Sequence, residues 1–125
     1  MEILAPISVG ELIDKITILR LKAERLTDPV KLANVGRELS RLEALADDLP
    51  QTPEFADLTA RLQALNAVLW DIEDAKRRHE REGRFDAEFV ALARQVYLRN
   101  DERAALRRAL SVAAGSAIVE EKSHG

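Results

Sequence analysis

The chain has no cysteine, which rules out disulfides and thiolate-bound metals. Aromatic residues make up only 4%, with a single Trp and a single Tyr, so a row of base-stacking side chains is missing. Basic charge is not in excess: 19 Lys and Arg stand against 22 Asp and Glu, for a net charge of -3, and no global field draws nucleic acid. Only two histidines occur. His79 falls in the charged run DAKRRHERE and His124 in the tail, so both read as solvated and no metal site is expected. No apolar run approaches bilayer-spanning length, and MEILAPISVG lacks the basic segment and long apolar stretch of a secretory signal. The expectation is a cytoplasmic protein that engages neither membrane nor nucleic acid. There is no glycine-rich phosphate loop, no GxSxG and no HExxH, and no cofactor is expected.

Against these absences stand 46% hydrophobic and 33% charged residues in 125, enough for one core and one domain spanning 1–125. Apolar residues recur at steps of three and four. The longest such stretch is Thr52 to Glu82, which reads as the helix that organises the chain. Thr52 is a suitable N-cap and Pro53 fits the first helical position. Phe55, Leu58, Leu62, Leu65, Leu69 and Ile72 then form one stripe.

Three more helices are predicted. Ser8 and Glu11 have capping-box spacing and open a helix near 9–26, whose apolar residues fall on more than one side. Asp28-Pro29 starts a second near 29–47, and Asp86 starts a fourth near 87–113. Gly83 ends the third helix and Gly115 the fourth. Short connections imply antiparallel neighbours. The predicted fold is an all-α, four-helix antiparallel bundle made of two helical hairpins, the second longer, with an arm over 1–7 and a tail over 115–125. At about 1.5 Å per residue the third helix is roughly 45 Å long and the first roughly 27 Å, so the first hairpin cannot cover the second. A homodimer that buries the excess is expected.

Polar residues sit at core-like positions in three sets: Lys15 and Lys22; Asn66, Glu73 and Arg77; Asn100, Asp101 and Arg103. Arg103 continues the stripe begun by Phe89, Leu92 and Val96, so it is expected to be half-buried and paired, with Glu73 or Asp101 as favoured partner. One reading is a structural network that fixes helix register. Another is a ligand site whose cations and amides suit an anionic or sugar-like small molecule. The alternative is a small enzyme on an anionic substrate, such as a nucleotide, sugar nucleotide or dicarboxylate, with Glu73 or Asp101 as base or magnesium ligand. The catalytic residues themselves are not identified.

The segments SVGELIDKITILRLK (Ser8 to Lys22), NxxLWxIED (Asn66 to Asp74), FDxxFxxLARxVYxxNDxRA (Phe85 to Ala104) and GSAIVEEKS (Gly115 to Ser123) resemble a family of short bacterial and phage proteins known as domain of unknown function 6165. The likeness covers nearly the whole chain. It departs at His124, where the family pattern has an aromatic residue, and at Arg107, where lysine is common. The resemblance implies that Lys15, Lys22, Glu73, Asp74, Asn100, Asp101, Arg103, Glu121 and Lys122 belong to the family motif. It implies no activity.

Overall fold

A computed structural model describes residues 1–124. Its four helices are α1 (Val9–Arg25), α2 (Pro29–Ala46), α3 (Pro53–Glu82) and α4 (Ala87–Ala113), with no strand among the described residues. Local chemistry sets each start. The side chains of Ser8, Asp28, Thr52 and Asp86 accept from the free amides of Glu11, Val30, Phe55 and Phe89. Gly83 closes α3 at φ +65°, a left-handed conformation that glycine adopts without a Cβ penalty. The helix limits match the periodicity to within one residue.

The fold is an all-helical bundle, but its organising helix is α1, not α3. α1 touches the three other helices, whereas α2 touches α1 alone. The physical reason is the spread of apolar residues around α1. Leu12, Ile13, Ile16, Leu19 and Leu21 are all buried, while α2 buries only Val35. The main core joins Leu12, Ile13 and Ile16 to Phe55, Leu58, Leu62 and Leu65 of α3 and to Leu106 and Leu110 of α4. Each such side chain contributes on the order of 1.5–3 kcal/mol by leaving water. The apolar stripe of α3 is therefore buried mainly in its N-terminal half.

The stripe Phe89, Leu92, Val96 lies only partly buried, because the C-terminal half of α3 and the N-terminal half of α4 extend beyond α1. Phe85, Val90, Tyr97 and Leu98 are exposed there. Arm residues Met1, Ile3 and Leu4 are exposed, with Glu2 paired to Arg41.

The start of α1 is pressed against the end of α4. A Cβ at Gly10 would lie 2.1 Å from the carbonyl oxygen of Arg107, so only glycine fits. The Gly10 amide donates to Ser111 Oγ at 2.9 Å and the Val9 amide to Ser116 Oγ at 3.3 Å. After Gly115 the tail turns back along α4, held by Glu120 on Arg107, Glu121 on Arg108 and Lys122 on Asp101.

Candidate functional site

α1 carries one buried stripe, Gly10, Asp14, Thr17 and Leu21 at steps of four, three and four, whose two middle members are polar. Asp14 is its centre. Its carboxylate is 5% exposed and accepts from Arg103 Nε at 3.0 and 3.2 Å and from Arg103 Nη2 at 2.5 Å. Asn66 of α3, also buried, donates to Asp14 Oδ1 at 2.8 Å and to Thr17 Oγ1 at 2.9 Å. Thr17 Oγ1 in turn donates to the Asp14 carbonyl at 2.8 Å. Arg107 Nη1 approaches Asp14 Oδ2 at 3.6 Å. Three helices are thus tied at one carboxylate whose charge is matched by a bidentate arginine, which is what a buried ion requires.

This corrects the expected pairing. Arg103 is half-buried and paired, but with Asp14 rather than Glu73 or Asp101. Glu73 pairs with Lys76 at 3.3 Å and Asp101 with Lys122 at 2.6 Å. The cause is the central place of α1, which sits between Arg103 and the α3 face that carries Asn66. Sequence reasoning missed Asp14 altogether. The available signal was the Gly-Asp-Thr stripe within a helix that is apolar on several sides.

Two neighbouring open compartments of one polar groove share Arg103 and Ile18 in their linings. One, of about 390 Å³, is lined by Glu11, Lys15, Lys22 and Arg107. The other, of about 320 Å³, is lined by Leu69, Trp70, Glu73, Asp74 and Arg77 together with Asn66. Lys15 and Lys22 form no ion pair among the described residues, nor does Arg77, while Arg103 leaves Nη1 unused by Asp14. Six of the eight predicted site residues therefore meet here: Lys15, Lys22, Asn66, Glu73, Arg77 and Arg103. Asn100 is exposed and lines neither compartment, and Asp101 belongs to the separate cavity under the tail.

At the edge of the groove Arg107 is held by Glu120, with Nε at 3.1 Å from Oε1, and lies 3.9 Å from Glu11. Glu11 departs from the capping box: its amide donates to Ser8 Oγ, but its carboxylate turns toward Glu120 and Arg107. Its pKa is raised, first by burial and then by the hydrogen bond and negative charge of Glu120; Arg107 and Lys15 oppose the shift.

His79 is not solvated, as its charged neighbours suggest, but 2% exposed at the turn between α3 and α4. Its Nδ1 lies 3.1 Å from the Arg84 carbonyl oxygen, which can only accept, so Nδ1 carries a proton. Asp86 stands 3.6 Å from Nδ1 and Glu88 3.7 Å from Nε2. One ligand atom from each of these three residues lies within 4.8 Å of the others, but the Arg84 guanidinium, 3.8 Å from both carboxylates, already supplies positive charge there. The cluster acts as an electrostatic clasp of the hairpin. The Asp86 pKa is lowered, chiefly by the Phe89 amide at the helix start and also by His79 and Arg84.

The architecture is that of a small all-helical bundle with a polar groove beside its core, and no described helix is long and apolar enough to cross a membrane. The chain belongs to the family of unknown function DUF6165, whose family model matches residues 3–125. No curated protein and no solved structure matches it.

Proposed function

We propose that residues 1–125 form a single helical module that binds a small anionic molecule in the groove over Ile18, with Lys15, Lys22 and Arg103 as the cationic contacts. One observation carries this reading. Arg103 is held from behind by a buried carboxylate, which orients its guanidinium, while two lysines of α1 line the same compartment without a partner. A purely structural network needs the Asp14–Arg103 pair but has no use for the lysines. Four cations (Lys15, Lys22, Arg103, Arg107) stand against three carboxylates (Glu11, Asp14, Glu38) around this compartment, an excess of positive charge that an anion can meet. Asn66, Glu73 and Arg77 complete the far wall. The rival reading, a small enzyme on such an anion, would use Glu73 as the base, since it is the half-exposed carboxylate of that wall.

Thermal unfolding of the full chain tests the proposal, with phosphate, sulfate, malate and nucleotides each at millimolar concentration, with and without magnesium. A binder raises the midpoint progressively with concentration over its dissociation constant. The rise is lost in the Lys15→Ala/Lys22→Ala double variant. If no anion moves the midpoint, or the double variant responds like the parent, the groove is not an anion site.

A homodimer is a second reading, favoured by Val90, Tyr97 and Leu98 exposed on the part of α4 that α1 leaves uncovered. Exposed apolar residues on one uncovered segment are the kind of surface a second copy can cover. A cytoplasmic bacterial or phage setting accords with the family resemblance and the cysteine-free composition.

A further inference from the structure

The two compartments of the groove differ in charge and in shape, and the difference specifies more than an anion. The Lys15/Lys22 compartment carries an excess of cations, with Arg103 and Arg107 beside the lysines against the buried Asp14, the half-buried Glu11 and the exposed Glu38. Beyond Arg103 the other compartment has Glu73 and Asp74 on one wall, with Arg77 as the only cation added, and Trp70 and Leu69 as its apolar side. Glu73 engages Lys76 through Oε1 alone, and Asp74 enters no ion pair among the described residues. Arg25 packs 5.7 Å from the Trp70 ring centroid, which fixes the indole at the rim.

We infer that the ligand is a phosphorylated hydroxyl-bearing molecule, a sugar phosphate or a nucleoside monophosphate. Its phosphoryl group lies among Lys15, Lys22 and Arg103, and its sugar hydroxyls lie on Glu73 and Asp74 against Trp70. This deepens the anion-groove reading and rests on it. Phosphate suits the first compartment because Lys15 and Lys22 of α1 and Arg103 of α4 line it together, and a guanidinium held from behind presents its remaining donors to phosphoryl oxygens. Ionised carboxylates can only accept, so they select hydroxyl donors, as acidic residues do for ribose hydroxyls. A flat indole suits the apolar face of a sugar ring or a base. A dicarboxylate would place its second charge against Glu73 and Asp74, where Arg77 balances only one of the two. A compartment of about 320 Å³ has room for a sugar ring.

The test titrates the full chain with inorganic phosphate, ribose 5-phosphate, adenosine monophosphate, adenosine and phosphoethanolamine, by calorimetry and by tryptophan fluorescence. Trp70 is the single tryptophan, so any change in emission reports from this compartment. The expected result is that ribose 5-phosphate or adenosine monophosphate binds at least about tenfold more tightly than inorganic phosphate, with a change in Trp70 emission that phosphate alone does not produce. Glu73→Gln brings that advantage, read as the ratio of the two dissociation constants, close to parity; Lys22→Ala weakens both. If phosphate and the sugar phosphates bind equally, if Glu73→Gln changes nothing, or if phosphoethanolamine binds most tightly, the inference is overturned while the anion groove stands. If no phosphate-bearing compound binds, this inference falls, and the anion groove falls with it when sulfate and malate also leave the unfolding midpoint unmoved.

Discussion

Arg103 of α4 grips Asp14 of α1 through Nε at 3.0 Å and Nη2 at 2.5 Å, with 27% of the arginine side chain and 5% of the aspartate exposed. Removing Arg103 strands the Asp14 carboxylate in a buried site, and removing Asp14 takes away the one close carboxylate of Arg103. Arg103→Ala or Asp14→Ala is expected to cost roughly 3–5 kcal/mol in urea unfolding. Replacing both should cost less than the sum, because neither charge is then stranded. A single-variant loss within about 0.5 kcal/mol would show the pair to be solvated in solution.

Two glycines give opposite outcomes for the same substitution. Gly10→Ala drives a methyl group to 2.1 Å from backbone that cannot rotate away, and a loss of about 1–3 kcal/mol or more is expected from overpacking. Gly36 sits inside α2 with nothing within 4 Å of its added Cβ, so Gly36→Ala should stabilise by about 0.5–1 kcal/mol. Denaturation midpoints of the two variants check both. Equal midpoints would mean that α1 and α4 do not touch at Gly10.

The Glu11 carboxyl should leave a mark on stability against pH. Its folded pKa is raised above 4.5, so in the window from that raised value down to about 4.5 the folded chain binds more protons than the unfolded one. Its contribution therefore stabilises as pH falls through the window and is unfavourable above it. Asp86 acts oppositely: its folded pKa lies below 3.8, so its contribution is present above that value and is lost as pH falls through the folded pKa. Glu11→Gln should remove the first component of the slope. Carboxyl titration by NMR that places Glu11 at or below 4.5 would refute the assignment.

The dimer has a direct measurement. Light scattering on a sizing column at tens of micromolar should give twice the 14.0 kDa chain mass, and Tyr97→Glu with Leu98→Glu should return it to the monomer. A monomeric parent at that concentration would mean that the projecting hairpin stands alone.

Helix starts, helix ends and fold class were legible in the residues because they are local. A cap needs only a side chain and an amide three residues on, as at Ser8 or Asp86, and a three-four period needs only one helix. The chain by itself likewise placed Asn66 and Arg103 as polar residues on core-like faces, whereas Lys15, read the same way, is exposed. Packing alone decided which of them meet. The partner of Arg103 lies 89 positions away in sequence, and choosing Asp14 over the nearby Asp101 required knowing that α1, not α3, fills the centre. His79 was hidden for the same reason: its neighbours in sequence are charged, but its neighbours in space are Phe89, the Arg84 carbonyl and the start of α4. Periodicity reports that a face is apolar. The order in which faces stack is settled by the total area they bury together, a property of the assembled helices and of no single stretch.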